Sequence, residues 1–375
     1  MRNSFFFISI VFLLLTCAES SHSDPGGTIK IGVIFAKTGS AAMVTSPGFK
    51  AARFAVHEVN RTGGISGNKI VLIEYDNKST SLGSRFAAQQ AVQDNVTGVI
   101  GPAFSSHALS VAKVLQKGMI PMITPTATNV RVTLVGDFIF RVCFVDTFQG
   151  RVAADFAKND LNASTAVVLT NSSSNYSLGL ANVFIKRFNL TKRVLLEDYY
   201  QKEMTDFTIS LEKIIRLKPD VIFIPGHFRE SAYIVKQARS MGIKSIFIGA
   251  DGWVEKMYEY SGGAIDGSFY VDQWHQSVPL KENQAFVRRW PLEYGKVNKA
   301  IIALTYDAFY VFVNAVEKAK TINKIDIRYA LSKTKNFLGV TGQISFDKNG
   351  DTINKSAVIL KFDNGNTIFQ KSINQ

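Results

Sequence analysis

The fold is decided by residues 96–106, VTGVIGPAFSS, together with residues 119–128, MIPMITPTAT, which follow about 20 positions later. Each stretch is an apolar, strand-like run that ends in a loop of small and hydroxyl-bearing residues. In an open α/β sheet such loops lie at the carboxyl ends of neighbouring strands, where ligands bind. Their hydroxyls, their free backbone N–H groups and the start of a helix near Ser106 are the groups that hold a small carboxylate. The alternative for either loop alone is that its Ser and Thr residues cap a helix or shape a turn.

The remainder of the chain alternates in the same way, which predicts βαβ units and mostly parallel sheets. The alternation runs to residue 123 and starts again after 138–142, so one architecture of about 120 residues is repeated twice. The predicted strands are 29–35, 69–75, 97–100, 120–123, 138–142, 165–170, 194–199, 221–224 and 245–248. The predicted helices are 46–62, 79–94, 106–117, 176–188, 207–217, 229–241, 280–294 and 300–320. The tail predicts short antiparallel strands at 342–346, 357–362 and 367–371.

The first residues have the pattern of a secretion signal. Arg2 supplies one positive charge, and an apolar core follows at 5–15, which is too short for a membrane span of about 20 residues. The core ends in Leu14-Leu15-Thr16-Cys17, which resembles a bacterial lipobox. We therefore expect a lipoprotein-type signal peptide over 1–17, with Cys17 lipidated and the protein anchored at the periplasmic face of a membrane. The alternative is cleavage between Ser21 and Asp24, which would release a free periplasmic protein.

Composition and charge exclude several classes of function. The formal charge is +13, or +12 without Arg2, but the basic residues are spread along the chain and an exported protein does not meet nucleic acid. The five His residues show no metal-ligand spacing, and no nucleophile elbow, phosphate loop or dinucleotide fingerprint is present in the sequence. We therefore expect a protein that is not an enzyme and that uses no cofactor and no metal.

Six short motifs, in order over some 220 residues, resemble those of the type I periplasmic binding proteins, in particular the leucine/isoleucine/valine-binding proteins of branched-chain amino acid ABC importers. They are 31–39 (IGVIFAKTG), 59–70 (VNRTGGISGNKI), 99–102 with 124–128 (VIGP, TPTAT), 206–208 (DFT), 218–221 (KPDV) and 237–242 (QARSMG). The resemblance implies two doubly wound, Rossmann-like lobes joined by a three-strand hinge, with the ligand in the cleft between them. It implies a first lobe of 28–146 plus 276–338 and a second lobe of 147–275 plus 339–375.

The resemblance also implies the binding roles of the first-lobe residues. Ser105 and Thr128 fall where hydroxyl and N–H groups hold the α-carboxylate of the ligand, and Ser106 adds a donor at the helix start. Thr126 falls where a backbone carbonyl accepts a hydrogen bond from the α-ammonium group, and Ala127 belongs to the same loop.

In the second lobe, Asp251 matches the acid that pairs with the α-ammonium, and Tyr176 matches the tyrosine that closes over the ligand. The alternatives are an Asp251 that lies in a turn or caps a helix starting at Trp253, and a Tyr176 that only packs on its lobe. His227 replaces an aromatic residue and could titrate near neutral pH or be an uncharged core histidine. Val44 also stands where branched-chain binders carry a larger aromatic residue. The residues expected to bind the α-carboxylate and α-ammonium groups are thus retained, while those expected around the ligand side chain differ.

The resemblance therefore implies an extracytoplasmic binding protein, expected to be a monomer, that captures an amino acid and delivers it to ABC permease subunits. One alternative is a receptor subunit that reports ligand occupancy to a signalling partner. Another is a binder of amides or aromatic acids on the same fold, for which an unpaired Asp251 would be unfavourable.

Overall fold

The structure is a computed structural model that describes residues 27–375. The expected signal peptide and Cys17 lie outside the described residues. Within the described part the chain forms two α/β lobes, each built on its own sheet. The predicted fold class is therefore confirmed.

The first lobe contains a five-stranded parallel sheet in the order β2-β1-β3-β4-β5. Helices cover both faces of such a sheet, and the strands are accordingly almost continuously apolar and buried. The strand order reverses between β1 and β3, so the crevice for a ligand lies beyond the carboxyl ends of these strands. The strands are β1 Thr28–Phe35, β2 Lys69–Asp76, β3 Gly98–Ile100, β4 Met122–Thr124 and β5 Ile139–Arg141.

The second lobe contains a seven-stranded sheet in the order β14-β13-β10-β9-β8-β6-β7. Its five parallel strands repeat the order of the first lobe, and β13 and β14 add an antiparallel edge. A separate two-stranded hairpin, β11 with β12, precedes that edge. These strands are β6 Thr165–Asn171, β7 Arg193–Tyr200, β8 Val221–Phe223, β9 Ile246–Gly249, β10 Phe269–Asp272, β11 Phe337–Gly339, β12 Gly342–Ile344, β13 Ala357–Asp363 and β14 Asn366–Ile373.

The helices agree with the predicted runs except in a few places. The helix predicted over 280–294 ends at Arg289, and a 3₁₀ turn Leu292–Tyr294 follows Pro291, because proline has no N–H to continue the helix. The elements α1, α5, α9, α12, β10 and β11 were not predicted. The helices are α1 Ala42–Thr45, α2 Pro47–Arg61, α3 Ser81–Gln93, α4 Ser105–Lys117, α5 Asp146–Asn159, α6 Asn175–Phe188, α7 Thr208–Leu217, α8 Phe228–Ser240, α9 Met257–Ser261, α10 Lys281–Arg289, α11 Ala300–Ala319 and α12 Lys324–Ser332.

The longest helix, α11, is a core element of the first lobe. In length and composition it resembles a membrane span, but 78% of its most apolar 18-residue stretch is buried inside the protein. It packs on α2 and on the sheet, and Phe309 and Phe312 on it have no exposed surface. Its hydropathy is thus that of a buried helix in a folded core.

The chain passes between the lobes three times, after β5, after β10 and after β12. The third passage lies later than the division expected at 338/339, because Val340, Ile344 and Phe346 are buried in the core of the first lobe. The buried carboxylate of Asp307 on α11 also accepts hydrogen bonds from the N–H groups of Val340 (2.7 Å) and Thr341 (2.9 Å). The β11–β12 hairpin therefore packs with the first lobe.

Candidate functional site

A cavity of about 480 Å³ lies between the two lobes. Val44, Phe104 and Thr126 line it from the first lobe, and Tyr176 and Asp251 line it from the second. It thus lies beyond the carboxyl ends of strands from both sheets, as expected for ligands of open α/β sheets. Its volume is in the range of small-molecule sites.

An aromatic stack separates this cavity from a smaller one of about 280 Å³. His227 lies between Phe104, with ring centroids 4.4 Å apart, and Tyr176, with centroids 5.4 Å apart, and both pairs are stacked within 22°. Because Phe104 belongs to the first lobe and the other two rings to the second, the stack joins the lobes. Ser106 and His107 line only the smaller cavity.

Hydrogen bonds tie together the two first-lobe loops singled out by the sequence. Thr124 Oγ1 donates to Pro102 O at 2.6 Å, and Thr126 Oγ1 donates to Ala103 O at 3.1 Å. Gly101 lets the first of these loops pass close to β1, since its φ is +104° and a Cβ there would lie 2.3 Å from Ile34 O. The loops therefore form one rigid wall.

A buried arginine holds the back of this wall. The Arg141 side chain has no exposed surface, and its guanidinium donates to Ala127 O at 2.6 Å and to Asn129 O at 2.9 Å. Its Nε lies 2.6 Å from Asp351 Oδ1, in the segment of the third passage between the lobes. The loop that carries Thr126 is thus fixed by a charged group that satisfies two buried carbonyls.

In the second lobe, Asp251 presents a carboxylate to the larger cavity and is held by neutral donors. Tyr176 Oη donates to Oδ1 at 2.8 Å, Gln149 Nε2 donates to Oδ1 at 3.0 Å, and Gln273 Nε2 donates to Oδ2 at 2.5 Å. Burial raises the pKa of this carboxyl, while these hydrogen bonds act in the opposite direction. No cationic side chain of residues 27–375 forms a salt bridge with it.

Local structure explains why these side chains meet. Ser174 Oγ accepts a hydrogen bond from Ser177 N at 3.3 Å and caps α6, which places Tyr176 in the first turn. Asp251 follows β9, and Gly252 lets the chain pass the carbonyl of Gly226, which a Cβ would approach to 2.6 Å. Of the alternative for Asp251, the helix cap at Trp253 is wrong, because the next helix begins at Met257. Asp251 does lie in a turn, in which Trp253 N donates to Ala250 O at 2.9 Å.

The structure brings Ser105, Thr126, Tyr176, His227 and Asp251 to the larger cavity. Ser105 Oγ also accepts a hydrogen bond from Asn129 N at 3.2 Å.

Three predicted site residues lie elsewhere. Ser106 lines the smaller cavity. Ala127 and Thr128 have no exposed surface and line neither cavity, because Arg141 and the N-terminus of α5 hold their carbonyls from behind. The Thr128 hydroxyl is buried and has no hydrogen-bond partner within the described residues. Its role toward a carboxylate stays a prediction.

Burial of the His227 ring lowers its pKa to about 4, which favours the alternative of an uncharged core histidine over titration near neutral pH. Burial likewise lowers the pKa of His107 to about 4. His227 therefore acts here as a neutral ring within the stack.

Three polar residues of the site were missed by the sequence analysis. Gln149 lies on α5, and Asp272 and Gln273 lie at the end of β10, neither of which was predicted. Gln149 and Gln273 bind the Asp251 carboxylate, and Asp272 lines the larger cavity beside them. The sequence contains a signal for the last two residues: the apolar run 269–271 is followed by Asp272-Gln273. A strand-like run followed by polar residues is also the pattern of the two first-lobe loops.

One family model, described as periplasmic binding protein, matches residues 28–367 of this two-lobed chain. The chain belongs to this family. Membership implies a periplasmic location, and the members compared below are named as binding proteins. The prediction of this family from sequence motifs is confirmed.

This periplasmic binding protein resembles named relatives over nearly its whole length. It is 27% identical to the Leu/Ile/Val-binding protein homolog 3 of Brucella melitensis over 361 residues, which cover 94% of this chain and 95% of that protein. The leucine binding protein LivK of Thermotoga maritima has 33% identity and a TM-score of 0.88, covering 92% of this chain and 99% of that one. LivJ of Streptococcus pneumoniae, solved with isoleucine, has 31% identity and a TM-score of 0.86, covering 93% of this chain and 100% of that one.

The same fold also occurs in binding proteins for other ligands. A solute binding protein of an ABC transporter from Rhodopseudomonas palustris, solved with 3,4-dihydroxybenzoic acid, has 20% identity and a TM-score of 0.81, and covers 92% of this chain and 97% of that one. At this identity the likeness shows the fold alone.

Proposed function

We propose that the protein is the extracytoplasmic solute-binding component of an ABC importer and that it captures an α-amino acid between its lobes. The observation that carries this proposal is the Asp251 carboxylate, which faces the cavity and is held by Tyr176 and two glutamines without a cation. A carboxylate in such a place is stabilised by a ligand that brings a positive charge. The α-ammonium of an amino acid supplies that charge.

The opposite wall suits the other end of the same ligand. Ser105 lies at the start of α4, whose first-turn N–H groups favour an anion. The carbonyl of Thr126 lies in the wall beside it and is the proposed second acceptor for the ammonium. An α-carboxylate at Ser105 and an α-ammonium at Asp251 would connect the two lobes through the ligand.

A ligand that contacts both lobes at once favours the closed arrangement, since it gains its full interaction energy only there. We propose that this closed form is the one recognised by the permease. The likeness to LivK and to LivJ with isoleucine supports an amino acid as the solute.

We also propose that the mature protein is anchored through acylated Cys17 and works as a monomer at the membrane. The support is the lipobox-like sequence Leu14-Leu15-Thr16-Cys17. Mass spectrometry of the mature N-terminus tests the anchor. A diacylglyceryl-modified Cys17 is expected, and a free N-terminus between Ser21 and Asp24 would contradict it.

The ligand class is tested with the purified protein, unfolded and refolded to remove captured solute. A thermal-shift screen compares the amino acids with benzoates, amides and short carboxylic acids. A ligand that binds only the folded state raises the melting temperature by mass action. Stabilisation by α-amino acids is expected, whereas stabilisation only by ligands without an α-ammonium would contradict the proposal and favour a binder of aromatic acids or amides.

A further inference from the structure

A second carboxylate lies in the larger cavity beside Asp251. Asp272 ends β10, lines the cavity and is only 8% exposed. Its single hydrogen bond within the described residues comes from Gln273 N to Oδ1, at 2.7 Å. Burial, with the negative charge of Asp251 adding to it, raises the pKa of Asp272 well above its usual range. The Asp272 carboxyl group is thus buried in the ligand cavity without a cationic partner, which is unfavourable for its ionised form.

The charged groups that line the cavity are predominantly acidic. Four carboxylates face two ammonium groups, which leaves two negative charges in excess when all are ionised. The lining residues with carboxylate or ammonium side chains are Asp251, Glu255, Lys256, Glu259, Asp272 and Lys299.

One of the two lysines forms a salt bridge with a glutamate, and the other is influenced by the charge of a second glutamate. Lys256 forms a salt bridge with Glu259, three residues later on α9. Lys299 donates to Met43 O at 3.2 Å, and the charge of Glu255 acts to raise its pKa against the effect of burial. The excess negative charge is therefore located at the two aspartates.

The neighbours of Asp272 suit an elongated ligand that carries hydrogen-bond donors. The Gln273 amide oxygen is buried and has no partner within residues 27–375, so an acceptor is available next to Asp272. Trp253, Tyr258 and Tyr270 also line the cavity. Aromatic walls pack on a methylene chain and interact favourably with a cation at its end.

From this geometry we infer that Asp272 binds a second cationic group, and that the preferred ligand is a basic α-amino acid such as lysine or ornithine. The inference rests on the proposed function, since it assigns the α-carboxylate to Ser105 and the α-ammonium to Asp251. The side-chain ammonium is then paired with Asp272, so that each of the two aspartates has a cationic partner in the complex.

The test is a calorimetric comparison of L-lysine with L-norleucine, whose side chain lacks only the terminal ammonium. We expect the refolded wild-type protein to bind lysine about 30-fold or more tightly than norleucine, as for a buried charge pair. Asp272→Asn should weaken lysine binding by a similar factor and leave norleucine binding unchanged. Glu197→Gln is the matched control, because this carboxylate is exposed on β7 of the same lobe and does not line the cavity, so neither ligand's affinity should change.

The outcomes separate this inference from the proposed function. If norleucine or leucine binds as tightly as lysine to the wild type, the inference is overturned and the proposed function stands. If no α-amino acid binds and benzoate does, the proposed function fails. The wild-type comparison requires no substitution, so it decides the matter even when Asp272→Asn does not fold.

Discussion

Replacing Arg141 by methionine tests whether a buried charge holds the ligand loop in place. The substitution keeps the length of an apolar side chain but removes the guanidinium, which lies 2.6 Å from Asp351 and donates to the carbonyls of Ala127 and Asn129. Removing one partner of a buried ion pair costs about 3–5 kcal/mol, because the other groups lose their compensation. The two carbonyls belong to the loop that carries Thr126, so the loop should also lose its fixed position.

The assay is urea unfolding combined with calorimetry of amino acid binding at a temperature where the variant is folded. We expect Arg141→Met to lower the free energy of unfolding by about 3–5 kcal/mol and to weaken binding about tenfold or more. Arg187→Met is the control, since Arg187 pairs with Asp155 at 2.8 Å on the surface and should cost about 1 kcal/mol or less. An Arg141→Met protein within about 1 kcal/mol of wild type, with unchanged affinity, would refute the reasoning.

Two further predictions concern single ionisable groups. Burial raises the pKa of Asp146 to about 7. The native state therefore binds a proton that the unfolded state releases between about pH 4 and pH 7, so stability falls as pH rises through that window, by up to about 4 kcal/mol. In urea unfolding at several pH values, Asp146→Asn should show a smaller fall than wild type, because the contribution of Asp146 is removed; an unchanged pH dependence would contradict the assignment. Because His227 is neutral and stacked, the affinity of His227→Phe should stay within about threefold of the wild-type affinity from pH 6 to pH 8. His227→Ala removes the ring and should weaken binding by about 3- to 10-fold. A strong pH dependence of wild-type binding that is lost in His227→Phe would show that the ring titrates.

The sequence predicts the fold well because long amphipathic helices and apolar strands have clear periods. It predicts less well where elements are short or follow one another directly. The strand β10 has four residues, and α5 begins at Asp146 without a side-chain cap, only a few residues after β5. Since Gln149, Asp272 and Gln273 lie on or just after these two elements, their part in the site was missed.

Contacts between distant residues are a second limit. Arg141 and Asp351 are 210 positions apart, and nothing local indicates that they form a pair. The pKa of His227 is likewise set by the rings and backbone that bury it, which are known only once both lobes are in place. Asp251, in contrast, was predicted because a recognisable motif surrounds it, and the structure adds the donors that hold it.

The central claim is that Asp251 binds the α-ammonium of an amino acid. The most direct test is calorimetry of wild type and Asp251→Asn with the most tightly bound amino acid of the screen and with its analogue that lacks the α-amino group. The account predicts that Asp251→Asn weakens amino acid binding by about 30-fold or more. It also predicts that the analogue binds wild type weakly, and that the difference in affinity between the amino acid and the analogue is smaller in the variant. Equal affinity of wild type and Asp251→Asn for the amino acid would contradict it.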